Sequence, residues 1–141
     1  MDEKYMFLAI SEAKKSLKCN DIPVGALIVK DDKIISRSFN KCNRHNSIQE
    51  HAEINCINKA IKKTKDKYLD DCILYVTMEP CLMCFGAIQK TNIKKIVYGI
   101  ENEKTGFLKY INFIPKIEIE KNICKEDIKK MLNDFFEKKR N

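Results

Sequence analysis

The sequence predicts an α/β fold: a three-layer α/β/α sandwich in which a mixed five-stranded sheet carries helices on both faces. Three observations lead there. A β-rich run, a helical segment and a second β-rich run follow one another over 72–100, the order of a βαβ unit with parallel strands. A hairpin pattern lies upstream, and its strands must pair antiparallel. Amphipathic stretches near both ends of the chain supply further helices for covering the sheet. With 141 residues and 44% hydrophobic content, the chain suits one domain over 1–141 with one continuous fold.

The elements follow in order. In DEKYMFLAISEAKKSLKC, Met6, Ala9, Ile10, Ala13 and Leu17 recur at three- and four-residue spacing, which predicts an amphipathic helix ending near Asn20, before Pro23. VGALIVKDDKIISRSF reads as two strands joined by a turn at Asp31 and Asp32. Residues 40–50 are polar and aperiodic and read as a loop. HAEINCINKAIKKTK predicts a helix from His51, with Ile54, Ile57 and Ile61 on one face, Ala52, Cys56 and Ala60 close by, and lysines at its far end. CILYVTM is a continuous β-rich run of the kind covered on both faces. Pro80 stands where a helix opens, and KKIVYGI is a further strand. A loop, ENEKTG, leads to the aromatic segment FLKYINF and a short strand in KIEIE. The closing KEDIKKMLNDFFEKKRN is a helix with Ile128, Met131, Leu132 and Phe135 on its apolar side.

Composition narrows the class of function. No run of about 18 apolar residues is present, so no membrane span is expected, and the acidic start MDEKYMFLAI lacks the features of a signal peptide. The expected setting is therefore soluble and cytoplasmic. Seven cysteines in such a chain point to buried thiols plus a metal or catalytic pair, not to a disulfide framework. The net charge of +7 fits a polyanionic partner such as nucleic acid; since nearly all of it is lysine, it fits a solvated lysine-rich surface equally well.

EPCLMC, residues 79–84, carries the chemistry. Cys81 and Cys84 are three apart, so at the start of a helix their sulfurs share a face and can grip one ion. Taken alone this pair is also compatible with a redox couple, half of a structural zinc site, or two buried thiols. His51 narrows the choice. H-A-E followed by P-C-x-x-C is the pattern in which one His and two Cys bind zinc and a non-ligand Glu moves protons. Three protein ligands leave the fourth tetrahedral position to water, whose pKa falls to roughly 7 when so bound. Zinc is favoured over iron by the softness of the thiolate ligands. Glu53 is offset from His51 by about 200° around a helix, so it is expected to stand beside that water as a proton carrier instead of binding the metal.

On these motifs the chain resembles the cytidine deaminase-like superfamily, and most of all the bacterial-type tRNA adenosine deaminases that convert adenosine to inosine at the anticodon wobble position. The matching segments are DIPVGALIVKDDKII, SFN, HAEINCIN, LYVTMEPCLMC, IVYGIENEKTG and DFFEKKR, nearly the whole chain. The resemblance implies zinc on His51, Cys81 and Cys84, with Glu53 as proton shuttle. It also implies that Asn40 hydrogen-bonds the target base, that Val24 lines the pocket, and that the backbone of Glu79 and Pro80 lies near the leaving amine. The Glu79 side chain itself reads as a surface charge.

The same resemblance implies a tRNA anticodon stem-loop as partner and a homodimer as the assembly, with Asn102 and Lys104 in a loop near the substrate. Two departures stand out: Asn102 replaces a common Asp, and the segment after Gly106 is short. Phe107, Tyr110 and Phe113 are candidates for base stacking or for the core, while Phe136, Lys138, Lys139 and Arg140 suit a phosphate backbone or an ordinary charged helix end. Two rivals remain: a deaminase of free guanine, cytosine or deoxycytidylate, and a non-catalytic RNA-binding subunit.

Overall fold

The computed structural model describes residues 2–41 and 49–140, the last by its backbone alone. The positions of the 40–50 loop numbered 42–48, Cys42 and Arg44 among them, lie outside the described residues. Two strands, β1 (Gly25–Lys30) and β2 (Lys33–Phe39), form the expected hairpin. Its turn is Asp31-Asp32, with φ of 50° and 60°; both central residues are left-handed, the geometry that matches the twist of paired strands. β1 also pairs antiparallel with β3 (Cys72–Met78), β3 pairs parallel with β4 (Lys95–Ile100), and β4 parallel with the short β5 (Glu118–Glu120). The sheet order is β2-β1-β3-β4-β5, the mixed five-stranded arrangement expected from the sequence.

The helices are α1 (Asp2–Lys15), α2 (Ala52–Thr64), α3 (Leu82–Lys90) and α4 (Lys125–Arg140). Period-two alternation sorts the strand side chains to the two faces. Ala26, Ile28, Leu74, Val76, Ile96 and Tyr98 enter one core with Ala52, Cys56, Ala60, Phe85 and Ile88 of α2 and α3. Their neighbours Leu27, Val29, Tyr75 and Val97 enter the other, with Met6, Ala9 and Ala13 of α1 and Ile128, Met131 and Leu132 of α4. Three layers result, and the chemistry-bearing helices α2 and α3 share one of them.

Three details differ from the sequence expectation. The first helix gives way at Ser16 to a 3-10 turn, Ser16–Cys19, and Leu17 is exposed; the tighter winding rotates it off the apolar stripe. In α2 the core stripe is Ala52, Cys56, Ile57 and Ala60, while Ile54 and Ile61 are half-buried. Small residues on the inner side let the helix lie close to the sheet. Finally, α2 and α3 begin one residue later than His51 and two later than Pro80.

Gly25 marks where α1 meets β1 most closely. A Cβ there would lie 2.0 Å from the Ala9 carbonyl oxygen and 2.5 Å from the Ala13 nitrogen, both backbone atoms that cannot swing aside. Gly25→Ala must lift α1 from the sheet and should destabilise the protein by about 2–3 kcal/mol, read from the shift of the urea unfolding midpoint at unchanged slope.

Candidate active site

The site is assembled at two helix starts. His51 is the N-cap of α2 (φ −70°, ψ 154°) and Cys81 the N-cap of α3 (φ −75°, ψ 172°), both in extended conformation. Neither side chain caps its own helix. For α2 that task falls to Asn40, whose Oδ1 accepts the Ala52 N–H at 2.9 Å while its Nδ2 donates to the Ile22 carbonyl at 3.1 Å. The imidazole is thereby free to turn toward the sulfurs. Pro80 holds the approach to Cys81 extended and is buried.

His51 Nδ1 lies 3.7 Å from Cys81 Sγ and 3.4 Å from Cys84 Sγ, and ligand atoms of all three residues fall within 4.8 Å of one another. A tetrahedral zinc with Zn–S about 2.3 Å and Zn–N about 2.0–2.1 Å requires roughly 3.6 Å between nitrogen and sulfur. The observed spacings fit a zinc-type His-Cys-Cys centre with no rearrangement of the backbone. Cys81 and Cys84, at the N-cap and third helical position, present both sulfurs from one turn.

The electrostatics suit thiolate ligation. The hydrogen bond with Cys84, followed by that with His51, pulls the Cys81 thiol down to about 4 against its burial. The Cys81 contact, with burial, pushes the Cys84 thiol up. The His51 ring is raised, chiefly by its hydrogen bond to Cys81. Protons shared in this way are released when a divalent ion takes the three donors.

Glu53, in the first turn of α2, is only 4% exposed. Burial pushes its carboxyl up to about 7, opposed by its own backbone N–H and by the His51 charge. The group can thus hold or release a proton near neutrality, the property required of a proton carrier. Its first-turn position places it next to the ligand set without making it a ligand.

The other expected positions divide. Val24 is buried in the α2–α3 core, and its carbonyl accepts the Asn40 N–H at 3.1 Å. Asn40 sits beside the site, though its amide already holds Ala52 and Ile22. The Pro80 carbonyl accepts the Phe107 N–H at 2.9 Å, and Gly106 pairs with Cys81 in an isolated antiparallel bridge. That bridge brings the loop of Asn102 and Lys104 to the backbone of Cys81, one of the three candidate donors. Lys104 is exposed, and its carbonyl accepts the Tyr110 hydroxyl at 3.0 Å.

Phe107 is corrected from stacking candidate to core: it is fully buried and stacks on Phe85 with centroids 4.1 Å apart. Tyr110 and Phe113 are exposed. Phe136, Lys138 and Lys139 are exposed on α4, in the other helical layer, where the two lysines line a groove with Lys14, Leu17 and Asn20. The Arg140 side chain lies outside the described residues.

The resemblance places the Glu79 backbone near the substrate and its side chain reads as a surface charge; the structure corrects the side chain. The Glu79 side chain is no surface charge: it is 3% exposed, Oε1 accepts the Asn102 N–H at 3.2 Å, and Oε2 accepts the Leu108 N–H at 3.0 Å. Its position directly after a fully covered strand was the available signal.

Comparison with known proteins places this geometry. The MafB19-like deaminase family matches residues 1–140. The tRNA-specific adenosine deaminase of Aquifex aeolicus (strain VF5) is 32% identical over 145 aligned positions, covering 99% of this chain and 96% of that protein. A solved chain from structural work on A-to-I editing by tRNA:A34 deaminases at the wobble position has a TM-score of 0.84 at 29% identity, covering 92% of this chain and 99% of its own. The guanine deaminase of Bacillus subtilis has a TM-score of 0.68 at 34% identity, over 80% of this chain and 77% of its own.

Removing one donor opens the tetrahedron. Cys84→Ser, with a harder and far less acidic ligand, should lower zinc affinity by more than the roughly 10–100-fold expected for losing a group outside the ligand set. Competition with a chromogenic chelator measures this; wild-type affinity in the variant would remove Cys84 from the ligand set.

Proposed function

The chain belongs to the MafB19-like deaminase family, and we propose that it hydrolyses the wobble adenosine of a tRNA anticodon to inosine and ammonia, with zinc held by His51, Cys81 and Cys84. The observation that carries the chemistry is the set of three donors at tetrahedral spacing with the buried Glu53 carboxyl beside it. Similarity to tRNA-specific adenosine deaminases over nearly the full length of both chains supports the substrate.

When bound, zinc supplies the Lewis acidity that makes a water nucleophilic at neutral pH. Glu53 would take one proton from the attacking water and deliver it to the adjacent ring nitrogen of the base, then take the second from the oxygen now on C6 and pass it to the departing amine. The water oxygen ends on C6, and the exocyclic nitrogen leaves as ammonia. Asn40, anchored at the start of α2, is placed to present its remaining amide hydrogen and lone pair to the base. The adenosine must leave its stack to reach this point.

For the stem-loop we assign contacts to Asn102 and Lys104 on the loop paired with Cys81, to exposed Tyr110, and to Phe136, Lys138, Lys139 and Arg140 at the end of α4. The net charge of +7 is compatible with a phosphate-bearing partner without selecting one. A homodimer is assigned to the outer face of α3, where Leu82 and Met83 are 48% and 42% exposed next to the ligands. Among the described residues no helix is long and apolar enough to cross a membrane. The cytoplasm suits the site, because reducing conditions there keep the cysteine ligands as free thiols.

The similarity to a guanine deaminase favours a second reading, deamination of a free base, and product analysis separates the two. Zinc-loaded protein given an anticodon stem-loop with A34, and separately free guanine, cytosine and nucleotides, should form inosine in the RNA. Product from a free base alone would sink the assignment. Glu53→Ala should keep one zinc per chain and bind the stem-loop, with turnover lower by about 10²–10⁴; normal turnover in that variant would remove Glu53 from proton transfer.

A further inference from the structure

We infer that Glu79 is a positioning residue: its buried carboxylate clasps the 101–110 loop to the metal-binding strand end and so sets where that loop meets the substrate. The inference rests on the proposed deaminase reading for the identity of the substrate, and on geometry for the rest.

Glu79 stands between the last residue of β3 and Pro80-Cys81. Its own N–H donates to the Ile100 carbonyl at 2.8 Å, which aligns it with the end of β4. The side chain then turns under the loop, with Oε1 on the Asn102 N–H and Oε2 on the Leu108 N–H. Gly106 passes directly over it: a Cβ there would come within 2.5 Å of the carboxylate carbon and of Oε1. The loop is thus wrapped on a carboxylate, fixed at both ends and in the middle.

Within that wrap the loop is ordered by its own bonds. The Gly106 N–H donates to the Asn102 carbonyl at 3.0 Å, and the Asn102 side chain accepts the Thr105 N–H at 3.1 Å and donates to Thr105 Oγ1 at 2.9 Å. What the turn offers to solvent is Glu103, Lys104, Thr105 and, tied to the Lys104 carbonyl, the ring of Tyr110. Asn102 therefore organises the turn from its side chain while Glu79 anchors it from below.

A carboxylate is buried at this cost only if both oxygens are matched by donors. Glutamine has one acceptor and one donor at that end, so one of the two loop N–H groups would face an NH₂. Aspartate is a methylene shorter and cannot span both. Since Cys81 is two residues away on the same rigid segment, loosening the loop should change substrate capture more than the chemical step.

The test uses Glu79→Gln, Glu79→Asp and Gly106→Ala in the zinc-loaded full chain, with zinc content, amide hydrogen exchange and steady-state kinetics on whichever substrate the wild type turns over. Expected are one zinc per chain, faster exchange at Asn102 and Leu108, and a KM raised by about tenfold with kcat lowered by less than about threefold, smallest in Glu79→Gln. The clasp is overturned if those two amides keep wild-type exchange, if KM stays within about twofold in all variants, or if lost activity follows lost zinc. Should the wild type act on a free base and not on the stem-loop, the substrate reading fails, while amide exchange and KM on that base still decide the clasp.

Discussion

Two helix N-termini aimed at one point are the constraint on which the rest of this molecule depends. Each brings unpaired N–H groups and a partial positive charge, worth more when an anion sits in front of it. With a metal bound the anions would be the Cys81 and Cys84 thiolates, and the Glu53 carboxyl stands in the first turn of one of the helices. Ordinarily an N-cap side chain would satisfy its own helix. In α2 the Asn40 amide does so for the Ala52 N–H instead, and the N-cap imidazole is left to join the two sulfurs. Antiparallel β1 and parallel β4 flank β3, so α2 and α3 pack in one layer and their starts converge by topology.

The donor set and the 101–110 loop are joined through three consecutive residues. Cys81 belongs to the His-Cys-Cys group, the Pro80 carbonyl holds Phe107, and the Glu79 carboxylate holds Asn102 and Leu108. Phe107 completes the connection by stacking on Phe85, which belongs to the helix that carries Cys84. The loop is therefore held against the backbone segment and the helix that carry the two cysteines. Among the described residues the opposite layer, α1 and α4, adds nothing to the donor set; it supplies the second core and presents an exposed basic helix end.

Much of this was legible in the sequence because periodicity and spacing report directly on packing. The βαβ order, the Asp31-Asp32 turn, the apolar side of α4 and the His-Cys-Cys donors all follow from local pattern. What escaped was set by contacts between distant segments. No local rule distinguishes Phe107 in the core from Tyr110 outside it, since both sit in the same aromatic segment and differ only in facing Phe85 or solvent. Leu17 kept helical spacing, but the backbone tightened before it. Glu79 looked like a surface charge because its two donors lie 23 and 29 residues away. His51 looked like the first helical residue because the amide that relieves it of capping comes from Asn40.

Convergence of the two helix starts should yield three protein donors and leave one coordination position to solvent and substrate. Zinc-edge X-ray absorption of the metal-loaded protein tests it most directly. The expected first shell is two sulfurs at about 2.3 Å and two nitrogen or oxygen atoms at about 2.0–2.1 Å, with outer-shell scattering from a single imidazole. A third sulfur, or a second imidazole, would show a closed structural site with no position left for water.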